Sequence, residues 1–446
     1  MARDVLPAPV LSRRTLLGAL STLAWPACQQ RPGTTAPTTE EGLKVPPKPA
    51  GITYQQRTGP SEDFVRKVYG PAWEQQTGIK LVIEDIPAGE LWTKIPALFA
   101  AGQLGDLVFG WNAEGVLALW AYHGLSIPLD PYVKADKYDV KQFYEGCIEA
   151  CQFEGKLHAL PTVGHPGEVT LFQNLEMFDA AGLKPIDARW TFDALVDAAR
   201  RLTRDTDGDG TPNIWGYHSG RSWFQLIVRL RAFGGDIFSE DGRRCVLNTP
   251  QAKAAWQWEY DLIHRYRAAP PPGTQGVDFL NGSTLAISSN NIANVTLFKP
   301  QIGTKFRWQA SAWPPGPSGR VGATVHVNTT HVTSQSKHPY WAWDFLKYIC
   351  SHEVGVQKVL MNSGSPGGRP DVWNDPRLHE YEPIFREGAR LMQEARAPRY
   401  AYNLKTAEAH AAMLDIAAAL WRNELGPSEA AEKMVNTIQP ILDQPR

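Results

Sequence analysis

The sequence predicts an α/β protein of two halves, each built on a mixed, mostly parallel sheet flanked by helices. The chain has 446 residues, which is too long for one ordinary core and suggests about two or three domains. Strand-like and helix-like segments alternate after residue 51, and the alternation recurs later without a tandem repeat. A strand–helix–strand order implies a parallel sheet with both faces covered.

Hydrophobic periodicity and glycine stops place the individual elements. The first half predicts, in order, a helix over residues 61–77, a strand over 79–83, a helix from Leu91 to Gly102 and a short buried strand over 106–109. The second half predicts a strand over 169–172, a helix from Phe192 to Leu202, strands at 285–287 and 325–327, and helices over 339–350 and 404–424. Thr191 is the expected N-cap of the helix that begins at Phe192.

The composition argues against a nucleic-acid-binding protein. Lys and Arg total 45 against 46 for Asp and Glu, and a nucleic-acid surface needs concentrated positive charge. The 16 tryptophans suit buried cores and also sites that stack on a sugar ring. The cysteines form no CxxC pair, so neither a zinc module nor a disulfide scaffold is indicated. Cys147 and Cys151, four residues apart in a predicted helix, are interpreted as packing residues, with a disulfide as the alternative.

The first fifty residues are predicted to direct export. Residues 12–17 (Ser-Arg-Arg-Thr-Leu-Leu) resemble a twin-arginine signal, followed by an apolar run too short to span a bilayer. Residues 1–28 are therefore predicted to be a signal peptide, with Cys28 as a lipidation site. Residues 29–50 are rich in Thr and Pro and predict a disordered tether. We expect a protein at the outer face of the cell membrane, in contact with the membrane only through a lipid anchor.

Motifs of the common enzyme classes are missing from the sequence. It contains no GxxxxGK[ST] loop, no HExxH and no GxSxG elbow. Carboxylates are plentiful, so a glycosidase pair stays open, although no pair stands out by spacing. The leading expectation is a protein that binds without catalysing a reaction and needs no organic cofactor.

A series of segments resembles family 1 of the extracellular solute-binding proteins, the maltose-type receptors of ABC importers. The match covers nearly everything after residue 55, and the segments come in family order. They are Glu74–Leu81, Phe99–Val108, Ile127–Tyr132, Gly155–Pro161, Leu171–Leu183, Trp190–Asp193, Phe233–Asp236, Phe279–Ile287 and Trp341–Ile349. Two departures, Phe172-Gln173-Asn174 and Ser288-Ser289-Asn290-Asn291, fall where family members carry Tyr-rich or Trp-containing ligand segments, and so bear on the identity of the ligand.

The resemblance implies a two-lobed periplasmic-binding-protein fold of type II with the ligand in the cleft. One lobe would take residues 51–168 and 328–380, and the other residues 173–322 and 383–446. It implies the substrate-binding component of an ABC importer that captures a carbohydrate, acts as a monomer and docks on membrane permease subunits. Two alternatives stay open: a secreted carbohydrate-active hydrolase, and a receptor for a non-sugar solute such as a peptide, polyamine or organic anion.

Polar and aromatic residues in loops that follow strands are the candidate ligand contacts, because such loops line the cleft. An indole can stack on a sugar's C–H face, and amides and carboxylates can bind its hydroxyl groups. The candidates are Trp111, Asn112, Glu114, Thr162, His165, Trp223, Asn290, Asn291, Trp313, Tyr400 and Tyr402.

An acidic loop is a candidate calcium site. Asp205, Asp207 and Asp209 alternate before Gly210, as at the start of an EF-hand loop, and Asn213 stands at the ninth position. Gly216 occupies the twelfth position, where a bidentate Glu belongs, so an acidic solvated turn is the alternative. The expected ion would be structural.

Overall fold

The computed structural model describes residues 45–112, 115–187 and 189–446. The predicted signal peptide, Cys28 and Glu114 lie outside the described residues. The last part of the predicted tether is described, and two of its residues contact the folded body. Lys48 Nζ donates to the Thr77 carbonyl oxygen at 2.7 Å, and the Pro47 carbonyl oxygen accepts from Trp341 Nε1 at 3.1 Å.

Strands and helices alternate along the chain, as predicted. The strands are β1 (Gly51–Arg57), β2 (Lys80–Ile86), β3 (Leu107–Trp111), β4 (Gln152–Phe153), β5 (Lys156–Leu157), β6 (Leu160–His165), β7 (Thr170–Asn174), β8 (Trp215–Ser219), β9 (Leu285–Asn290), β10 (Trp308–Ala312) and β11 (His326–Val332). Each strand predicted from the sequence is present within a few residues of its expected bounds.

The helices cover the faces of the sheets. They are α1 (Pro60–Phe64), α2 (Gly70–Thr77), α3 (Leu91–Ala101), α4 (Val116–Tyr122), α5 (Asp130–Asp136), α6 (Glu145–Glu149), α7 (Leu175–Ala180), α8 (Phe192–Leu202), α9 (Trp223–Ala232), α10 (Pro250–Tyr260), α11 (Asn294–Ile302), α12 (Pro339–Ile349), α13 (His352–Leu360), α14 (Pro370–Trp373), α15 (Pro376–Tyr381), α16 (Ile384–Glu394), α17 (Thr406–Trp421) and α18 (Pro427–Leu442). Thr191 caps α8 as predicted, because its Oγ1 accepts from the Ala194 N–H at 3.1 Å. The predicted helix 61–77 is present with a π-helical turn, Val65–Tyr69, between α1 and α2.

Two main sheets form the centres of the two halves. The first has the order β2-β1-β3-β11-β6 and the second the order β10-β7-β9-β8. Within the described residues, β1 pairs in parallel with β2 and β3, and β8 pairs in parallel with β9, whereas the other pairings of these sheets are antiparallel. The sheets are mixed, as predicted, but antiparallel pairing has a larger share than expected. The cause is the path of the chain: β7 enters the second sheet directly from the first half, and β11 enters the first sheet directly from the second half.

Buried apolar side chains form two large cores. One surrounds the first sheet and continues onto the Phe172 face of the second sheet, and the other fills the opposite face of the second sheet. The thiols of Cys147 and Cys151 are free and buried, so the packing interpretation is confirmed for the described cysteines. The predicted lobe limits stay a prediction, because α16 contacts β10 of the second sheet and also α14.

Candidate functional site: a cavity between the two sheets

A cavity of about 290 Å³ lies between the two halves and is lined by both. From the first half, the strand ends and following turns contribute Arg57, Glu62, Trp111, Val163, His165, His326, Asn328 and residues 363–365. From the second half, the starts of α9 and α11 contribute Phe224, Asn291, Ala293, Asn294 and Leu297. Glu168 stands between β6 and β7, where the chain passes from one sheet to the other. The sheets therefore place polar groups from both halves around one cavity.

Trp111 is the aromatic wall of the cavity. It is the last residue of β3 and is half-buried, with its ring centroid 4.4 Å from that of Trp92. The Arg57 guanidinium lies 5.7 Å from the Trp111 ring and 4.8 Å from the Phe109 ring. The buried Trp111 Nε1 has no hydrogen-bond partner among the described residues. An indole held in this way can present an apolar surface and one free donor to a ligand.

Arg57 and Glu62 form an ion pair at the same wall. Arg57 Nε lies 2.9 Å from Glu62 Oε1, and the Glu62 side chain is 5% exposed. The second carboxylate oxygen, Glu62 Oε2, is buried without a hydrogen-bond partner in the described part of the chain. The pair therefore leaves little net charge at this wall of the cavity.

Two histidines meet at the floor of the cavity. The ring centroids of His165 and His326 are 4.7 Å apart, and His165 Nδ1 accepts from the Gly167 N–H at 3.2 Å. Burial lowers the pKa of His165 well below its usual range and lowers that of His326 to about 4. Both rings are therefore neutral at neutral pH. His165 carries its proton on Nε2, since Nδ1 accepts, and His326 Nδ1 has no partner among the described residues.

Glu168 and Asn291 form the link between the halves. Asn291 Nδ2 donates to Glu168 Oε1 at 3.2 Å, while Glu168 Oε2 and Asn291 Oδ1 are buried without partners among the described residues. Burial raises the pKa of Glu168 to about 7, against the lowering effects of Asn291 and Arg229. Sequence reasoning missed Glu168. The available signal was its place directly after Pro166-Gly167, between two strands that belong to different sheets.

The cavity thus concentrates unsatisfied polar atoms of both kinds. Trp111 Nε1 is a donor, and Glu62 Oε2, Glu168 Oε2 and Asn291 Oδ1 are acceptors. An unpaired buried polar group costs roughly 1–3 kcal/mol, so such groups are rare unless water or a ligand binds them. The arrangement is complementary to a polyhydroxylated, uncharged molecule with an apolar face.

Of the residues predicted from the sequence, the structure places Trp111, His165 and Asn291 in the cavity wall. Asn112 is adjacent but its amide is committed to the backbone. Its Nδ2 donates to the Val325 carbonyl oxygen, and its Oδ1 accepts from the Val327 N–H, both at 3.1 Å. Both polar atoms of the Asn112 amide thus bond the backbone, and the ligand role of Asn112 stays a prediction.

Trp223 and Trp313 were also predicted to contact ligand, and both are core residues. Trp223 stacks on His410 at 4.6 Å, and Trp313 Nε1 donates to Ser289 Oγ at 2.9 Å inside the second core. Phe224, the next residue after Trp223, lines the cavity instead. Consecutive residues of a helix point about 100° apart, so a prediction that misses by one residue changes the face.

Thr162 and Asn290 also lie outside the cavity wall. Thr162 donates from Oγ1 to the Asn328 carbonyl oxygen at 3.2 Å and lines a separate void of about 30 Å³ in the first half. Asn290 accepts at Oδ1 from Asn294 Nδ2 at 2.5 Å, so Asn294 rather than Asn290 faces the cavity. Their ligand roles stay predictions.

Tyr400 and Tyr402 lie away from the cavity as well. The Tyr400 hydroxyl donates to the Asn112 carbonyl oxygen, which joins the β3 end to the segment before α17. Tyr402 is 49% exposed and its ring lies 3.7 Å from the Arg243 guanidinium. Neither is among the residues that line the cavity, and their ligand roles stay predictions.

The predicted calcium loop brings its carboxylates together at the surface. One oxygen from each of Asp205, Asp207 and Asp209 lies within 4.8 Å of the others. Asp205 accepts from the Gly208 and Gly210 N–H groups at 2.7 and 2.8 Å, which lowers its pKa. Asn213 Oδ1 accepts from the Thr206 N–H at 3.1 Å. The loop is thus folded by its own hydrogen bonds, with its carboxylates close enough to share a cation.

None of the helices in the described ranges is long and apolar enough to cross a membrane.

Comparison with known proteins gives a consistent result. The arabinooligosaccharide-binding protein of Halalkalibacterium halodurans is 25% identical over 319 residues, which is 68% of this chain and 67% of that protein. A probable amino-acid ABC transporter periplasmic-binding protein of Sinorhizobium fredii is 24% identical over 403 residues, 84% of this chain and 85% of that protein. The fold is shared with an ABC substrate-binding protein of Listeria monocytogenes in complex with cycloalternan, at a TM-score of 0.75 and 20% identity, over 88% of this chain and 98% of that one.

The sequence profile of the bacterial extracellular solute-binding proteins matches residues 58–356, about two thirds of the chain. The two sheets with a cavity between them agree with the two-lobed fold of the solved structures. The chain therefore belongs to the family of bacterial extracellular solute-binding proteins.

Proposed function

We propose that this protein is the substrate-binding component of an ABC importer and captures a carbohydrate in the cavity between its halves. The observation that carries the proposal is the set of unpaired donors and acceptors beside the Trp111 indole. Sugar hydroxyl groups both donate and accept, so one ligand can satisfy both kinds of orphan atom. Binding then requires no reaction, and the occupied protein docks as a monomer on membrane permease subunits.

The size and charge of the cavity narrow the ligand. Its volume of about 290 Å³ is just below the roughly 300–1,000 Å³ range of ligand sites, which favours a short saccharide. The relative from Halalkalibacterium halodurans is named for an oligosaccharide, whereas the one from Sinorhizobium fredii is named for an amino acid. Arg57, which lines the cavity, is paired with Glu62, so this wall offers little net positive charge to the carboxylate of an amino acid.

The test is a titration of a panel of short arabino- and malto-oligosaccharides, their monosaccharides and several amino acids, followed by tryptophan fluorescence. We expect a saccharide to bind and to be recovered unchanged, as chromatography of the mixture would show. Binding of an amino acid but no saccharide would overturn the carbohydrate proposal and keep the receptor. Consumption of the saccharide would instead support the hydrolase alternative, with Glu62 and Glu168 as its carboxylates.

Export and anchoring are proposed from the sequence alone. The family is extracellular, and we propose a twin-arginine signal with lipidation at Cys28. Replacing Arg13 and Arg14 by Lys is expected to leave the precursor in the cytoplasm, because the twin-arginine export route recognises the arginine pair. Fractionation and mass spectrometry of the mature N-terminus measure both points. Unchanged export of the double variant would contradict the signal assignment.

Calcium binding by the loop is likewise a proposal. A cation shared by Asp205, Asp207 and Asp209 would be absent from the unfolded chain, so it would stabilise the native state by mass action. We expect chelation to lower the melting temperature and added calcium to restore it. Asp207→Asn, which keeps the Asp205 turn hydrogen bonds, should abolish the response. A melting temperature that is constant across the titration would leave an acidic turn.

A further inference from the structure

Arg231 stands at the place where the two halves are joined. It belongs to the last turn of α9, whose apolar side chains fill the second core. Its side chain is only 13% exposed. It lines a groove that shares no lining residue with the cavity described above. Any effect of Arg231 on a ligand in that cavity must therefore be indirect.

Three connecting segments meet at this point. The Thr324 N–H, between β10 and β11, donates to the carbonyl oxygen of Pro166, between β6 and β7, at 3.1 Å. The Val325 N–H donates to the carbonyl oxygen of Arg396, between α16 and α17, at 2.9 Å. Each segment leads from one core to the other, so their mutual hydrogen bonds form the joint.

The Arg231 guanidinium ties two of these segments to α9. Nη1 donates to Thr324 Oγ1 at 2.9 Å and to the Arg396 carbonyl oxygen at 3.0 Å. Nη2 donates to the Ala397 carbonyl oxygen at 3.1 Å. Asp236 Oδ2 accepts from Nε at 3.2 Å and holds the guanidinium plane. A planar fork with five donors can hold several acceptors in one fixed geometry, which the single ammonium of lysine cannot.

Glycines bring the segments close enough for this arrangement. Gly322 has φ +85°, and a Cβ there would overlap the Val228 carbonyl oxygen of α9. Gly167 also has φ +85°, and a Cβ there would lie 2.9 Å from Thr324 Cγ2. The backbone conformations at both positions favour glycine. The joint is therefore packed backbone to backbone, and the Arg231 guanidinium supplies side-chain hydrogen bonds across it.

We propose that Arg231 is a positioning residue that sets the angle between the two halves. With its bonds in place, the β10–β11 and α16–α17 connecting segments move together with α9, and the halves keep a narrow range of angles. Without them, the segments keep their mutual hydrogen bonds but lose their attachment to α9, and the range of angles widens. A wider range of angles would lower the affinity for a ligand, because a smaller fraction of molecules would hold the cavity in its binding geometry. This effect on affinity, unlike the effect on the angle, rests on the proposed function.

The test measures the angle directly and needs no ligand. Nitroxide labels at Val82→Cys in the first half and Lys433→Cys in the second report the distance distribution by pulsed electron resonance. Cys28 is replaced by Ser, and the described native cysteines are buried. Arg231→Met is expected to widen the distribution at least twofold. Arg320→Met is the matched control, since Arg320 lines the same groove and its side chain makes no hydrogen bond or ion pair with the described residues.

Thr324→Val keeps the inference testable where Arg231→Met fails to fold. It removes only the hydroxyl that bonds Arg231 and Arg396, at 2.9 and 3.3 Å, and should widen the distribution by a smaller amount. A distribution as narrow as wild type in Arg231→Met, or in Thr324→Val where the first variant is unfolded, would overturn the proposal. So would equal widening in Arg320→Met. A saccharide identified by the titration should bind Arg231→Met about tenfold more weakly, and absence of any saccharide binding leaves the distance measurement intact.

Discussion

Replacing Trp111 by Ala is expected to weaken saccharide binding by well over tenfold. The indole is half-buried in the cavity wall and offers an apolar surface with a free Nε1 donor. Truncating an aromatic anchor at the centre of a binding site typically costs about 2 kcal/mol or more, and tenfold in affinity corresponds to about 1.4 kcal/mol. The measurement is the fluorescence titration described above, repeated on the variant with calorimetry as a second readout.

Two matched variants separate a ligand contact from a packing effect. Tyr402→Ala removes an exposed aromatic ring that lies outside the cavity, so it should bind like wild type. Trp313→Ala removes a buried indole from the second core and should lower the melting temperature by more than Trp111→Ala does. The Trp111→Ala variant itself loses the contact with Trp92, so we expect a modest fall in its melting temperature. Saccharide binding by Trp111→Ala as tight as wild type would place the ligand elsewhere.

The elements of the fold follow from local sequence, which is why they could be predicted. Hydrophobic periodicity and a Thr191 cap define α8 within its own span. Each predicted strand is recovered because its apolar run is buried on at least one side of a sheet. The share of antiparallel pairing was underestimated, since strand direction at β7 and β11 depends on how the chain passes between the sheets.

The candidate site could be predicted only in part, because burial and hydrogen-bond partners are decided by distant residues. The Asn112 amide is taken by the backbone of Val325 and Val327, 213 and 215 residues away. The Glu168 carboxylate accepts a hydrogen bond from Asn291, which is 123 residues away. Trp111 ends β3 and Trp313 directly follows β10, so the two stand at similar places relative to a strand. Their surroundings differ: Ser289 Oγ accepts from the Trp313 indole, whereas Trp111 lines the cavity and its Nε1 has no partner among the described residues.

Glu168→Gln is expected to make the protein more stable and bind saccharide less well, with both effects largest at alkaline pH. Burial raises the pKa of this carboxyl group from 4.5 to about 7. A raised native pKa means that stability is greatest below about pH 4.5 and is lost as the pH rises through about 7. Gln carries no charge to bury, so at pH 8 the gain in unfolding free energy has an upper limit of about 3 kcal/mol. At pH 5 the two proteins should unfold at similar temperatures.

The charge of Glu168, which lowers stability at alkaline pH, should increase the affinity for saccharide over the same pH range. Sugar hydroxyl groups that donate to Glu168 favour the carboxylate, so a proton must be lost on binding when Glu168 is protonated. Wild-type affinity should therefore be highest above pH 7 and fall as the pH is lowered toward 5, whereas Glu168→Gln should show a nearly flat profile. A hydrogen bond to a charged acceptor contributes about 1.5–3 kcal/mol, so at pH 8 the variant should bind tenfold or more weakly. A variant that is stabilised at pH 8 but binds with wild-type affinity and wild-type pH dependence would show that Glu168 does not contact the ligand.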